Sequence, residues 1–223
     1  MRITVLTLFP EMFKGVIDES IIARAIHDKK VEIKIINFRD FSKDKHKKVD
    51  DYQYGGGAGM VLKLQPIVDC LKSIKTKNSH VVLMSPQGKQ YNQTKVKQLA
   101  KYKDLIIIAG HYEGFDERII HYVDEIISIG DYILTGGEIP AMVLVDSITR
   151  TLKGVISKDS LESESFNNNL LDYPIYTKPL NFEGHKVPNI LLSGNHKHIN
   201  EFRNKQRLIK TKKMRKDIMK KGK

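Results

Sequence analysis

The 223-residue chain contains no tryptophan and one cysteine, Cys70. A single thiol cannot close an internal disulfide or supply the thiolate cluster of a structural zinc site, which excludes a disulfide-stapled secreted scaffold. Long apolar runs are also missing, and nothing approaches the roughly 20 residues that a membrane-spanning helix needs. The opening MRITVLTLFPEMF has one positive charge and then passes into Glu11 and Asp18, which is not the layout of a signal peptide. These absences predict a soluble protein of the reducing cytoplasm with no membrane partner.

Acidic charge is scarce at one end only. From His196 to Lys223, nine Lys and three Arg face Glu201 and Asp217, so this tail carries +10 of the net +12. A nearly neutral body with a basic tail points to a polyanion such as nucleic acid, the alternative being a solvated lysine-rich terminus.

An apolar share of 40% is ample for a packed core. Short β-branched runs occupy residues 2–9, 31–38, 80–85, 105–110 and 124–130. Several are apolar almost throughout, as in strands buried on both faces of a parallel sheet. Between them, Pro10 opens a helical stretch to Ile26, Pro66 another with Ile67, Val68, Leu71 and Ile74 on one side, and Pro140 a third. Asn92 is placed to cap a helix over QTKVKQL. The alternation predicts an α/β fold over residues 1–158. The polar SKDSLESESFNNN (157–169) lacks periodicity and reads as a linker, followed by extended chain and then one or two basic helices.

The stretch YQYGGGAGM (52–60) concentrates glycine where neither strand nor helix explains it. It is not a phosphate loop, because Met60 stands where the second glycine belongs and no Lys-Ser or Lys-Thr follows. It is not a dinucleotide fingerprint either, because Gly57 and Gly59 are followed by Leu62 in the third glycine position. A purely structural turn and a close approach to a flat ligand both remain. No serine sits in a nucleophile elbow and no histidine pair has metal-ligand spacing. Two further loops, GHYEGFDER (110–118) and IGDYILTGG (129–137), each follow an apolar strand, where open α/β sheets bind ligands. His111, Glu113, Asp116 and Glu117 read equally as ligand groups or as caps of a short helix.

LFPEMF, VDDYQYGGGAGM, SPQGK, GHYEGFDER, SIGDYILTGGEIPAMVLVDSITR, LLDYPIYTKP and LLSGNH…FRNKQ occur together and in this order. From Met1 to about Gln206 the chain resembles the bacterial TrmD-type tRNA (guanine-N1)-methyltransferases of the SPOUT superfamily. The resemblance implies a SPOUT-class α/β domain with a deep trefoil knot over 1–158, a flexible linker over 159–170 and a basic helical tRNA-binding domain over 171–223. It also implies a homodimer with its active site at the subunit interface. Its co-substrate would be S-adenosyl-L-methionine, held by Met84, Pro86, Gly110, Tyr112, Glu113, Gly114, Ser128, Ile129, Gly130, Asp131, Tyr132, Ile133, Leu134, Gly136 and Gly137. The substrate side would comprise Asp50, Gly59, Ser160, Arg203, Lys205, Gln206 and Arg207, with tRNA as partner. A magnesium dependence follows from the resemblance alone.

Guanine N1 is a poor nucleophile until its proton leaves, so this chemistry asks for a base beside N1 and a cation beside O6. By resemblance Arg150 is the cation. The family places an aspartate before Ser-Phe in the linker, whereas SLESESF puts Glu164 there, one methylene longer, with Glu162 as competitor. Ala58 and Phe202 also depart from the family's proline and tryptophan. Two other readings are a SPOUT-class enzyme acting on ribosomal RNA and a non-catalytic RNA-binding homologue.

Overall fold

The computed structural model describes residues 1–219, and the chain divides into two compact units, the first Met1–Ile156 and the second beginning at Ser157. In the first unit, β1 (Arg2–Thr7) leads through a 3-10 turn at Pro10–Phe13 into α1 (Lys14–Ile17) and α2 (Ser20–His27). β2 (Glu32–Asn37) is followed by a small antiparallel hairpin of β3 (Asp50–Asp51) and β4 (Val61–Leu62). Then come α3 (Leu64–Ile74), β5 (Ser79–Gln90), α4 (Gln93–Leu99), β6 (Asp104–Ile108), β7 (Glu125–Ser128) and α5 (Glu138–Thr149).

Five strands form one parallel sheet in the order β2-β1-β6-β5-β7. Alternation along each strand divides the core between two faces. Ile3, Val5, Leu105, Ile107, Val82 and Ile127 pack with α2, α4 and α5 on one side. Leu6, Ile106, Ile108, Val81 and Leu83 pack with α3 and Phe38 on the other. β6 is buried along its whole length, which explains its apolar run from Leu105 to Ile108. Each fully buried Leu or Ile contributes about 1.5–3 kcal/mol, so this double-faced core dominates the stability of the unit.

Several boundaries differ from the sequence expectation. The predicted helix after Pro10 is broken: α1 ends at Ile17, and Ser20 takes a left-handed φ of 56°. Gly15, Val16, Ile17 and Asp18 are all poor helix formers, so the run does not propagate. α3 begins at Leu64, before Pro66, which sits in the first turn where its missing N–H costs nothing. β5 continues past Met84 to Gln90, but its pairing with β7 slips between Met84 and Lys89, so SPQG bulges out of the ladder.

In the second unit, α6 (Lys158–Ser163) corrects the expectation of an irregular linker. Ser157 caps it, its hydroxyl accepting from the Ser160 N–H at 3.3 Å. A hairpin of β8 (Asn181–Phe182) and β9 (His185–Lys186) follows, then the basic helix α7 (His196–Met214) and α8 (Lys216–Met219). The segment before the hairpin is fastened to α7 at Thr211, whose hydroxyl accepts from Leu171 N–H at 2.9 Å.

Candidate active site

β6 and β7 point their carboxyl ends at one cavity of about 580 Å³ that the bulge within β5 also faces, and its size is within the usual range for small-molecule sites. Three chain segments wall it: 83–87 from the bulge of β5, 110–119 after β6, and 127–137 between β7 and α5. Every residue expected at a donor site lines this cavity except Asp131. The structure therefore assembles Met84, Pro86, Tyr112, Glu113, Tyr132 and Leu134 around one space although they are far apart in sequence. Ser128 is buried and its hydroxyl bonds locally to Gly130, accepting from its N–H at 3.2 Å and donating to its carbonyl at 3.0 Å.

Several glycines in these loops are required by protein neighbours. A Cβ on Gly110 would lie 2.2 Å from the Phe115 ring, and one on Gly136 would lie 2.3 Å from Glu138 Oε2. Gly137 donates to the Gly110 carbonyl at 2.6 Å, so the two walls are bonded directly. Tyr112 has a left-handed φ of 61°, a conformation that costs an ordinary residue roughly 1–2 kcal/mol and so marks a position held by its surroundings.

The glycine-rich loop 52–60 joins β3 to β4, and its base is stitched to the cavity wall. Glu113 N–H donates to the Met60 carbonyl at 3.0 Å, Leu62 N–H to Gly114 at 2.9 Å, and Asp116 N–H to Leu62 at 3.1 Å. Gly59 faces Glu113, whose Cγ would be 2.4 Å from an added Cβ. Asp50 stands half-buried at the start of the hairpin opposite Leu62. Beside it, Lys63 bonds Asp51 at 3.0 Å and holds that carboxyl below its ordinary value. Tyr52 and Tyr54 project from the loop, almost wholly exposed.

Of the acidic residues open to two readings, Asp116 is a cap: it accepts from Arg118 N–H at 3.0 Å at the start of the turn Glu117–Tyr122. Glu113 and Glu117 line the cavity. His111 also lines it and meets Glu138, a buried carboxylate that the sequence reading passed over. Glu138 is the first residue of α5 after two glycines, a position that reads as ordinary first-turn acid until its burial is seen.

The other expected site residues fall at the end of α5 and in the second unit. Arg150 is the half-buried C-cap of α5. In the second unit, Ser160 lies on α6 and Glu164 is its C-cap, in extended conformation; the side chain of the competitor Glu162 lies outside the described residues. Arg203 stacks on Tyr173, its guanidinium carbon 4.6 Å from the ring centre. Arg207 donates to the carbonyls of Leu171 at 3.2 Å and Asn167 at 3.3 Å. Both arginines thus brace their own unit, while Lys205 is exposed and Gln206 half-buried. Among the described residues no group of three or more His, Cys, Asp or Glu could hold a metal ion, and no helix is long and apolar enough to cross a membrane.

An open parallel sheet with a glycine-walled chamber at its carboxyl edge defines an α/β protein with a small-molecule site. The family model described as tRNA (Guanine-1)-methyltransferase TrmD matches residues 1–221, and the chain belongs to that family. A relative from Malacoplasma penetrans, named tRNA (guanine-N(1)-)-methyltransferase, is 62% identical over 218 residues, covering 98% of this chain and 96% of the relative. Relatives of the same name from Ureaplasma urealyticum and Mycoplasma genitalium are 58% and 51% identical, each over 99% of this chain and 97% and 96% of their own lengths.

Proposed function

We propose that this chain transfers a methyl group from S-adenosyl-L-methionine to N1 of the tRNA guanine that follows the anticodon, maintaining the reading frame. The observation that carries the reading is the chamber itself, in a chain matched end to end by a methyltransferase family. Its size and its mixture of apolar walls with main-chain edges suit an adenosyl group. When bound, the donor supplies an electrophilic methyl carbon, whose bond to sulfur breaks as the bond to guanine N1 forms.

The chain's own residues do the rest. The loops at 110–114 and 128–137 enclose the donor, and the loop carrying Gly59, bonded to the same wall, receives the guanine with Asp50 alongside. Glu164 takes the N1 proton, which leaves negative charge on O6 for the fixed guanidinium of Arg150. Exposed lysines of α7 contact tRNA phosphates, so the second unit positions the RNA. In this reading the protein works as a cytoplasmic homodimer of the SPOUT class, with its chain knotted around the donor loops and each active site completed across the interface.

Labelled S-adenosylmethionine and two tRNA transcripts, with guanine or adenine at the target position, test the reading. Transfer to the guanine transcript alone is expected; transfer to neither, or to both, contradicts it. In the same assay Glu164→Gln should lose about 10²–10⁴-fold in rate, the usual worth of a general base. Glu164→Asp should stay active, and full activity in Glu164→Gln would remove Glu164 from the role.

A further inference from the structure

Glu138 is 1% exposed, yet it is a carboxylate, and burying one is costly unless its oxygens are satisfied. Both are. Oε1 accepts from the Thr7 hydroxyl at 2.9 Å, and that hydroxyl in turn accepts from Phe9 N–H at 3.0 Å. Oε2 faces His111 Nδ1 at 3.4 Å. Since a carboxylate only accepts, Nδ1 carries the proton of this contact, which fixes the orientation of the imidazole. The N-terminus of α5 adds its own favourable field.

The His111 ring is packed between two others. It lies 4.8 Å from the Phe9 ring and meets the Tyr112 ring edge-on at 5.8 Å and 88°. Tyr112 borders the chamber with its backbone in the left-handed region, so its ring direction is not set by a relaxed main chain. Glu138 and Thr7 lie behind the chamber wall rather than in it. One buried carboxylate therefore joins the end of β1, the start of α5 and the loop after β6, and Gly136 is packed so closely that a Cβ there would lie 2.4 Å from His111 Nδ1.

We propose that Glu138 is a positioning residue for the donor site, which orients His111 and through it holds the Tyr112 ring over the chamber. The proposal rests on the reading of this chamber as the S-adenosylmethionine site. In it, Glu138 touches no substrate and acts on donor affinity, not on the chemical step.

The test measures binding of S-adenosylhomocysteine by calorimetry, and donor KM with kcat, for the full chain and its variants. Glu138→Leu and His111→Leu should each weaken binding and raise donor KM about 10-fold, equivalent to roughly 1.4 kcal/mol, with kcat at saturating donor within about 3-fold. Glu138→Gln keeps an acceptor for Thr7 and turns an N–H donor toward Nδ1, which the imidazole meets by carrying its proton on Nε2 instead, and should recover most of the affinity. In a Tyr112→Leu background, His111→Leu should cost less than about 2-fold more, because coupled residues are not additive. His111→Leu leaves the Thr7–Glu138 bond intact, so it carries the test if Glu138→Leu does not fold. Unchanged affinity, or the full loss persisting without Tyr112, would overturn the proposal while the donor site stands. Failure of the unaltered protein to bind S-adenosylhomocysteine would overturn the donor-site reading and this proposal with it.

Discussion

Gly59 shows how a single residue joins two loops. Its φ of 77° suits glycine, and Glu113 occupies the space a side chain would need. Gly59→Ala should therefore cost about 1–2 kcal/mol of backbone strain and also push Glu113 from the chamber wall. The expected result is at least a 10-fold fall in methyl transfer, measured at a temperature where a thermal melt shows the variant still folded; unchanged kinetics would show that the contact is dispensable. The glycine cluster itself was legible from composition. Its reason was not, because the partners Glu113 and Phe115 lie dozens of residues from Gly59 or across a turn from Gly110, and only the fold brings them together. Glu138 was illegible for the same cause: burial belongs to the folded neighbourhood and not to the motif TGGE.

At the scale of elements, β1 and β6 were readable because burial on both faces selects β-branched and apolar residues along the run, whereas the edge strand β2 was readable from its β-branched residues alone. Asn92 was readable as a cap, and its side chain accepts from Lys95 N–H at 3.1 Å. Asn92→Ala should destabilise by about 1 kcal/mol, which for a chain of this size lowers Tm by roughly 2–4 °C in a thermal melt. Two irregularities were less readable: the weak helix propensity of Gly15, Val16, Ile17 and Asp18 breaks the run before Ser20, and the slipped register of β5 depends on its pairing with β7. α6 was hidden because serine, asparagine and acidic residues favour loops unless a cap such as Ser157 nucleates the turn.

The amino end of the sheet makes a pH-dependent prediction. Arg2 bonds Asp104 through both carboxylate oxygens at 2.8 Å, with Ser79 also donating. The Arg2 bond is the largest influence holding the Asp104 carboxyl below its ordinary value. A carboxyl depressed in the folded state stabilises above its unfolded pKa, near 3.9, and loses that contribution as pH falls through the folded value. Asp104→Asn should thus lower stability to urea at pH 7, and the difference from the unaltered chain should shrink below about pH 4. A difference that grows with acid would contradict the ion pair.

For the whole molecule, charge asymmetry was plain in the sequence, and the structure displays it along α7, where Lys205, Lys212 and Lys213 are exposed. Arg203 and Arg207 were less legible, since nothing local announces that they pack on Tyr173 and Leu171. Replacing the three exposed lysines by Gln should reduce the slope of log affinity against log salt for tRNA by roughly 2–3, at about 0.7–0.9 per phosphate contact. Arg207→Gln should instead lower the melting temperature of the second unit, read by differential scanning calorimetry.

The central claim is that the bulge of β5 and the loops after β6 and β7 form one chamber for the methyl donor. Crystals of the full chain grown with S-adenosylhomocysteine test it most directly. The ligand should lie between Tyr112 and Leu134, against the Gly110 and Gly137 main chain; density for it at any other place, with this chamber empty, would contradict the account.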